Sequence, residues 1–457
     1  MKNSKVLLLN PPGKFNYGRD YFCSKITKSN YVEHPVDLLY LSGILHEKNV
    51  QVHLIDAIVD KITVDACKQK IIAFCPDIII FLSGWVSWVE DFVFLEEIKN
   101  RRPATKMIGI GDLFFNKDFF YRFSWIDAVL YDFTGSDIIH YIQNSPGNIN
   151  NMLLRDGSKI IDSSQNSKPL KKNFLLPLPR HELFISKKYS FPFVKSMPFM
   201  SVLTDFGCPF SCQFCVYSEV DYKVFDLSSV FKELKQIKRL GISELFIKDQ
   251  TFCSNKKRGE ALCNFMIENQ MNFSWTCFLR VSQATAEFLQ LLKNAGCHTI
   301  IYGVESFSQN ILDQYSKNIT IDQIQTAISE TRKIGIRSIC TFILGFPDEN
   351  QKSIEGTIDF AINLNPDFAA FNIYVRKTMS VGFSKSMKKN YDQSGIFSEN
   401  IDGNGILTGK EIFELRKKAI RKFYFRPRYI LNEIFSIRSL AELILRAKGF
   451  LFLFKSS

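Results

Sequence analysis

Two long stretches of the chain alternate short apolar runs with amphipathic segments. In the first, residues 1–145, the run Val6–Leu9 is wholly apolar and the segment 36–49 is typical of a helix. Strands that alternate with helices form a parallel sheet with helices packed on both faces. We therefore predict an α/β chain that begins with a doubly wound, Rossmann-like domain. Ligands of such domains bind beyond the carboxyl ends of the strands.

The second stretch, residues 199–378, repeats the strand–helix pattern six times. Six such units predict a partial (β/α)6 TIM-type barrel, in which the strand ends carry the chemistry. Residues 146–198, which are rich in Asn, Ser, Lys and Pro, are predicted to be a linker. Residues 379–457 are predicted to form a mainly helical C-terminal cap, with one helix over 410–424.

Composition limits the class of protein. The 457 residues are 46% apolar, enough for two or three domains, and no apolar run is long enough to predict a transmembrane span. The last stretch, 434–454, is interpreted as a helix packed on the barrel, with peripheral membrane contact as the alternative. The net charge of +12 is dispersed, which favours a solvated surface over a specific nucleic-acid partner. Eleven cysteines, of which three are clustered and the rest scattered, do not indicate a disulfide framework and favour a reducing, cytoplasmic setting.

Three of these cysteines, Cys208, Cys212 and Cys215, lie within eight residues, directly after the first strand of the predicted barrel. Thiolates are the natural ligands of iron–sulfur clusters, and a short loop can present three of them to one cubane. The fourth iron would then stay open for another ligand. The alternatives are a zinc site, which would require a fourth Cys or His nearby, and buried thiols without a metal.

The C-x3-C-x2-C loop, with the aromatic Phe214 before its last cysteine, resembles the signature of radical S-adenosylmethionine (SAM) enzymes. The resemblance implies a [4Fe-4S] cluster whose open iron binds the amino and carboxylate groups of SAM. An electron from the cluster would split SAM and produce a 5′-deoxyadenosyl radical, which abstracts hydrogen from the substrate. Gly207 is expected to let the loop bend tightly.

The resemblance extends to the ends of four further predicted strands, where relatives bind SAM. A guanidinium fixed there could hold the SAM carboxylate with two hydrogen bonds. The implied groups are Lys248 and Asp249 for the amino end of SAM, Arg280 for its carboxylate, Glu305 with Ser306 for the ribose, and Gly345 with Pro347 for the adenine.

The first domain resembles the cobalamin-binding domain of one large radical SAM subfamily, through the opening Asn10-Pro11-Pro12 and the segment 35–43. The resemblance implies a corrin held around Ser83, Gly84, Gly109 and Gly111. The D-x-H-x-x-G motif is missing, so cobalamin is expected to bind without a protein imidazole. The usual Gly-Gly and Gly-Glu-Gly-Glu motifs are also altered, which is a departure from the subfamily. The alternative is a domain that serves only as a scaffold.

The sequence therefore predicts a radical SAM enzyme, and cobalamin-dependent methylation of an unactivated carbon is the expected reaction. The substrate is expected to be a small molecule that is hydrophobic, lipid-like or similar to a natural product, and flavodoxin or ferredoxin the electron donor. One alternative is a radical SAM cyclase, oxidase or rearrangement enzyme without methyl transfer. A second is a non-catalytic iron–sulfur binding protein. The sequence identifies no further catalytic residue.

Overall fold

The computed structural model describes residues 4–21, 24–27, 31–145, 149–163, 173–375, 403–427 and 429–431. The chain divides into two units. The first takes in the described residues of Met1–Gly207 and Val220–Phe246, and the second those of Cys208–Glu219, Ile247–Thr378 and Ile396–Ser457. The predicted C-terminal stretch 434–454 lies outside the described residues.

The first unit contains β-strands and helices in alternation. Its strands are β1 (Lys5–Asn10), β2 (Tyr17–Gly18), β3 (Lys25–Ile26), β4 (Gln51–Asp56), β5 (Ile78–Leu82), β6 (Lys106–Ile110), β7 (Ala128–Leu130), β8 (Met152–Asp156), β9 (Lys159–Asp162), β10 (Asn173–Phe174), β11 (Phe199–Val202), β12 (Asp205–Phe206), β13 (Lys223–Phe225) and β14 (Glu244–Ile247), whose last residue belongs to the second unit. Its helices are α1 (Val36–Glu47), α2 (Val64–Phe74), α3 (Trp88–Arg101), α4 (Asp118–Arg122), α5 (Asp137–Ile142) and α6 (Leu227–Arg239).

The core of the first unit is a seven-stranded sheet in the order β4-β1-β5-β6-β7-β8-β9. The first five of these strands run parallel, and β8 and β9 are antiparallel. The strands β1 and β5 are almost wholly buried because their apolar runs face helices on both sides. The predicted Rossmann-like, doubly wound sheet is thus confirmed.

The predicted linker differs from the structure. Its residues 152–162 form the β8–β9 hairpin, which extends the sheet beyond residue 145. Because Asp156 pairs with Lys159, the two turn residues are Gly157 and Ser158. Gly157 has a φ of +57°, a conformation that favours glycine. A Gly-Ser pair between two short apolar runs is a hairpin signal that could have predicted this turn. The surrounding Asn, Ser and Lys residues obscured that signal.

The second unit continues the strand–helix alternation. Its elements are α7 (Lys256–Glu268), β15 (Ser274–Leu279), α8 (Ala286–Asn294), β16 (Cys297–Glu305), α9 (Gln309–Gln314), α10 (Ile321–Ile334), β17 (Arg337–Leu344), α11 (Gln351–Leu364), β18 (Phe368–Ile373) and α12 (Gly409–Tyr424). The strands β15 to β18 pair in sequence order, each parallel to the next. The β/α repeats predicted for the TIM-type barrel are therefore present.

The helix predicted over 410–424 is α12, and it packs on β18. The guanidinium of Arg416 donates to the carbonyl of Phe371 at 2.8 Å, and the hydroxyl of Tyr424 donates to the carbonyl of Ala369 at 2.7 Å. A capping box formed by Thr408 and Glu411 starts this helix. In the part of the chain that the structure describes, no helix has the length and apolar character needed to cross a bilayer.

Candidate active site

The cysteine loop begins at a glycine that the backbone requires. Gly207 has a φ of +79°, and a Cβ atom at this position would lie 2.6 Å from the carbonyl oxygen of Asp221. Only glycine tolerates both conditions. Farther along, the amide of Cys215 donates to the carbonyl of Cys212 at 3.0 Å, which closes a tight turn. The tight bend expected at Gly207 is confirmed.

The three thiols of the loop interact with one another. The pKa of Cys215 is raised to about 11, mainly by burial and also by the neighbouring Cys208 and Cys212, although a backbone hydrogen bond and the ammonium group of Lys317 act in the opposite direction. Among the described residues, no group of three or more His, Cys, Asp or Glu side chains could hold a single metal ion. A tetrahedral zinc site needs its ligands to converge on one point, whereas a cubane binds each thiolate at a different iron.

Arg280, which follows β15, lies against the cysteine loop. Its Nη1 atom is 3.9 Å from Sγ of Cys212, and its guanidinium carbon is 4.1 Å from the centre of the Phe210 ring. Its Nη2 atom donates to the carbonyl of Asn318 at 3.2 Å. A permanently charged group is thus held beside one of the three thiols. Its predicted contact with the SAM carboxylate stays a prediction.

Glu305, at the end of β16, is held in an unusual conformation. Its φ is +70°, and the pairing of β16 with β17 shifts register between Gly303 and Glu305. The carboxylate Oε1 lies 3.0 Å from Nζ of Lys317, and both side chains are buried. Lys317 could not be predicted as a site residue from the sequence, because it lies in a loop and belongs to no motif.

The turn after β17 is organised by a buried carboxylate that the sequence analysis also missed. Oε2 of Glu349 accepts hydrogen bonds from the amides of Gly345 and Phe346, at 2.8 and 3.0 Å. Gly345 has a φ of +84°, so the turn requires its glycine. Burial raises the pKa of Glu349 to about 7, although the two amide hydrogen bonds act in the opposite direction.

Aromatic side chains connect this turn to the cysteine loop. The ring centres of Phe214 and Phe346 are 5.8 Å apart, and Tyr315 packs on Phe346 at 4.6 Å. Tyr374, after β18, completes the group at 5.2 Å from Phe346. The structure therefore brings together Phe214 and Gly345, which the sequence analysis had assigned to the site separately.

The remaining predicted SAM-binding residues occupy the ends of their strands, as expected. Lys248 and Asp249 are buried directly after β14. Ser306 is fully buried, and its hydroxyl accepts from the amide of Ser308 at 3.2 Å. Pro347 is half-buried in the turn after β17. Their contacts with SAM stay predictions.

In the first unit, the four residues predicted to hold a corrin are enclosed by other protein atoms. The hydroxyl of Ser83 donates to Asp91 at 2.8 Å. A Cβ atom added to Gly84, Gly109 or Gly111 would clash with Ser24, the ring of Phe114 or the carbonyl of Ser83, respectively. The chain thus fills the space that each glycine leaves open. These four residues do not form an open cradle for a corrin.

Four histidines lie in residues 1–145, where cobalamin is expected to bind without an imidazole ligand, and that absence stays a prediction. The ring of His34 is stacked on Tyr189 at 4.1 Å and its Nδ1 atom lies 3.1 Å from the hydroxyl of Ser201. His53 packs on the ring of Phe74 at 4.9 Å, within β4. His46 is exposed on α1, and His140 contacts Ser136 on its own helix. These positions have structural explanations.

Comparison with known proteins identifies the class. Residues 203–361 match the model of the radical SAM superfamily. This segment contains the cysteine loop and all of the predicted SAM-binding residues. The chain therefore contains a radical SAM domain. More particularly, enzymes with this domain use SAM together with a [4Fe-4S] cluster. The comparison favours an enzyme over the non-catalytic binding protein.

Individual relatives extend the likeness to almost the whole chain. An uncharacterized methyltransferase of Pyrococcus horikoshii is 26% identical over 452 residues, which cover 95% of each chain. The anaerobic magnesium-protoporphyrin IX monomethyl ester cyclase of Cereibacter sphaeroides is 24% identical over 74% of this chain and 58% of its own length.

Two solved structures share the fold. The radical SAM methyltransferase TsrM of Kitasatospora setae, with cobalamin and a [4Fe-4S] cluster bound, superposes with a TM-score of 0.65 at 15% identity, over 82% of this chain and 75% of that one. The cobalamin-dependent radical SAM enzyme OxsB superposes with a TM-score of 0.63 at 18% identity, over 86% and 55%. The α/β fold predicted from the sequence, with both its parts, is that of these enzymes.

Proposed function

We propose that this radical SAM enzyme methylates an unactivated carbon of a small hydrophobic molecule, with cobalamin as the methyl carrier. The observation that carries the proposal is the likeness, over 95% of both chains, to a protein named as a methyltransferase. The fold shared with TsrM supports it. The proposal includes a cytoplasmic setting and an electron donor such as flavodoxin or ferredoxin.

The second unit supplies groups suited to the shared part of the chemistry. Cys208, Cys212 and Cys215 would hold the cluster, which together with SAM supplies a 5′-deoxyadenosyl radical when both are bound. Arg280 holds a positive charge at the cysteine loop, and Glu305 offers a carboxylate at the end of β16. The aromatic group around Phe346 packs against Phe214, so that one side of the loop is covered by apolar side chains.

The cobalamin part of the proposal rests on the fold and on the relatives. Because the chain fills the space beside Gly84, Gly109 and Gly111, a corrin would contact other residues than those three glycines. Cobalamin, when bound, would supply the methyl group. The absence of a histidine ligand would leave the cobalt easier to methylate.

The test is anaerobic purification of the chain with a supply of cobalamin, followed by absorption and electron paramagnetic resonance (EPR) spectra. The expected result is cluster and corrin absorption together, without nitrogen superhyperfine splitting on the cob(II)alamin lines. Such a splitting would refute binding without imidazole. Failure to bind any corrin would overturn methyl transfer and leave a radical SAM enzyme whose first domain is a scaffold.

A radical SAM cyclase is the second candidate, because a magnesium-protoporphyrin ester cyclase is among the relatives. Product mass separates the two. A methylated product gains one carbon, whereas a cyclised product gains none. Both enzymes would release 5′-deoxyadenosine when incubated with SAM and a reductant.

A further inference from the structure

The loop after α9 approaches the cysteine loop from one side. The amide of Gln213 donates to the carbonyl of Tyr315 at 2.9 Å, and its side-chain amide lies 3.3 Å from the hydroxyl of Ser316. Ser316 and Asn318 both have positive φ values, +55° and +51°. Non-glycine residues adopt this conformation at an energetic cost, which the surrounding contacts must offset. This tightly wound loop positions the residue between them, Lys317.

Lys317 forms a buried ion pair with Glu305, and the two charged groups meet in the space beside Gly303. Its Nζ atom is 3.0 Å from Oε1 of Glu305, and the two side chains are only 11% and 9% exposed. A Cβ atom at Gly303 would lie less than 3.0 Å from both charged atoms. The β-bulge at the end of β16 aims Glu305 into this space. The strand end is thus shaped around the ion pair.

The same ammonium group lies beside the cysteine loop. Its Nζ atom is 5.6 Å from the centre of the Phe214 ring, within the range of a cation–π interaction. Phe214 directly precedes Cys215, and Lys317 acts electrostatically on that thiol. A buried ion pair often stabilises no more than apolar side chains of similar volume would. Stability alone therefore does not explain a lysine at this position.

We propose that Lys317 is a positioning residue of the iron–sulfur site, which holds the Glu305 carboxylate across Gly303 and sets the charge beside the Phe214–Cys215 end of the cysteine loop. The reduction potential of a protein-bound cluster depends on the net charge around it and on hydrogen bonds and solvent exposure. A cation beside the thiolates favours the reduced cluster, and an anion at the same place opposes it. The inference rests on the radical SAM assignment and not on methyl transfer.

The test compares Lys317→Met, Glu305→Gln and the double variant with the natural protein, each full-length and with its cluster reconstituted anaerobically. EPR-monitored redox titration without SAM gives the midpoint potential. Lys317→Met should lower the midpoint potential, and Glu305→Gln should raise it. Each shift should be at most about 59 mV, which for one electron corresponds to a tenfold change in the ratio of reduced to oxidised cluster. The double variant, which removes one charge of each sign, should return close to the natural value.

Lys333→Met is the matched control, because Lys333 also pairs with a glutamate, Glu330, at 2.6 Å, but its side chain is 68% exposed. Its potential should be unchanged. The proposal would be overturned if Lys317→Met and Glu305→Gln shifted the potential in the same direction as each other, or if neither shifted it. So would a control that shifts as far as Lys317→Met.

Removal of one partner from a buried pair can prevent folding, because the other charge is left uncompensated. If Lys317→Met assembles no cluster, the double variant decides, since it leaves neither charge buried alone. A double variant with iron content and potential close to the natural protein supports the proposal. One that also assembles no cluster overturns it, because the pair is then needed for folding and not for the charge at the site. A natural chain that assembles no cluster would overturn the radical SAM assignment as well.

Discussion

The Oε2 atom of Glu349 lies 2.8 Å from the amide nitrogen of Gly345, four residues earlier in the chain. The carboxylate also accepts from the amide of Phe346 and is fully buried. It therefore fixes the turn after β17, which is predicted to lie along the adenine of SAM. No motif used in the sequence analysis included Glu349.

The burial of Glu349 predicts a pH dependence of stability. Its pKa is raised from 4.5 to about 7 in the folded chain. The unfolded chain therefore loses this proton at a lower pH than the folded chain does. Protonation of Glu349 favours the folded state fully below pH 4.5, and this contribution to the free energy of unfolding is lost as the pH rises toward 7. Glu349→Gln cannot ionise. Between roughly pH 5.5 and pH 7.5, the natural protein should therefore lose about 2 kcal/mol of its free energy of unfolding relative to the Glu349→Gln variant.

The measurement is anaerobic thermal or denaturant unfolding of both proteins at the two pH values. A stability difference that does not change with pH would show that Glu349 is ionised throughout. Glu355→Gln is a suitable control, because Glu355 pairs with Lys418 on the surface and its pKa is lowered by that hydrogen bond.

The structure sharpens the prediction for the cysteines. Replacing Cys208, Cys212 or Cys215 by Ala should remove the cluster and all cleavage of SAM, measured as bound iron and as 5′-deoxyadenosine. The controls Cys253, Cys263, Cys297 and Cys340 are buried and lie outside the cysteine loop. Cys263 is part of α7, and Cys297 and Cys340 are part of the strands β16 and β17. Their Ala variants should keep the cluster and lose roughly 1 kcal/mol of stability. Loss of iron from these variants but not from the first three would contradict the assignment.

Arg280 is expected to contribute to SAM binding through geometry as well as charge. Arg280→Ala should keep the cluster but lower SAM affinity roughly tenfold to a hundredfold, the effect of a lost charge-assisted hydrogen bond of about 1.5–3 kcal/mol. Arg280→Lys should restore only part of the affinity, because lysine cannot stack flat on Phe210.

Equilibrium dialysis with SAM provides the measurement. Arg332→Ala is the control, since Arg332 also donates to two backbone carbonyls of the second unit, those of Leu364 and Asn365. Unchanged affinity in both Arg280 variants would make Arg280 a structural residue of the loop.

Asn404 ties the segment before α12 to the turn after β17. Its side-chain amide donates to the carbonyls of Phe346 and Glu349, both at 2.7 Å. Asn404→Ala removes both bonds, so the turn should loosen and SAM affinity should fall roughly tenfold, for a loss of about 1–2 kcal/mol. Asn404→Asp should be no better, because a carboxylate cannot donate to a carbonyl. An aspartate variant with natural affinity would refute this role.

Much of the fold could be predicted because it depends on local patterns. The apolar run Val6–Leu9 lies within β1, and the helices predicted over 36–49 and 410–424 match α1 and α12 to within two residues. The hairpin of β8 and β9 was missed, because its short strands gain their burial from pairing with β7. Pairing between strands leaves only a weak trace in a short sequence window.

The sequence by itself determined the class of enzyme, since the spacing of Cys208, Cys212 and Cys215 and the order of strands and helices are properties of a continuous chain. The tertiary structure decided what surrounds those residues. Lys317 meets Glu305 only because a bulge and a tightly wound loop bring them together across Gly303. Phe114 fills the space beside Gly109, which the sequence analysis had assigned to a corrin. Side chains from separate segments compete for the same space in a close-packed interior, and the residue that occupies it is known only once the chain has folded.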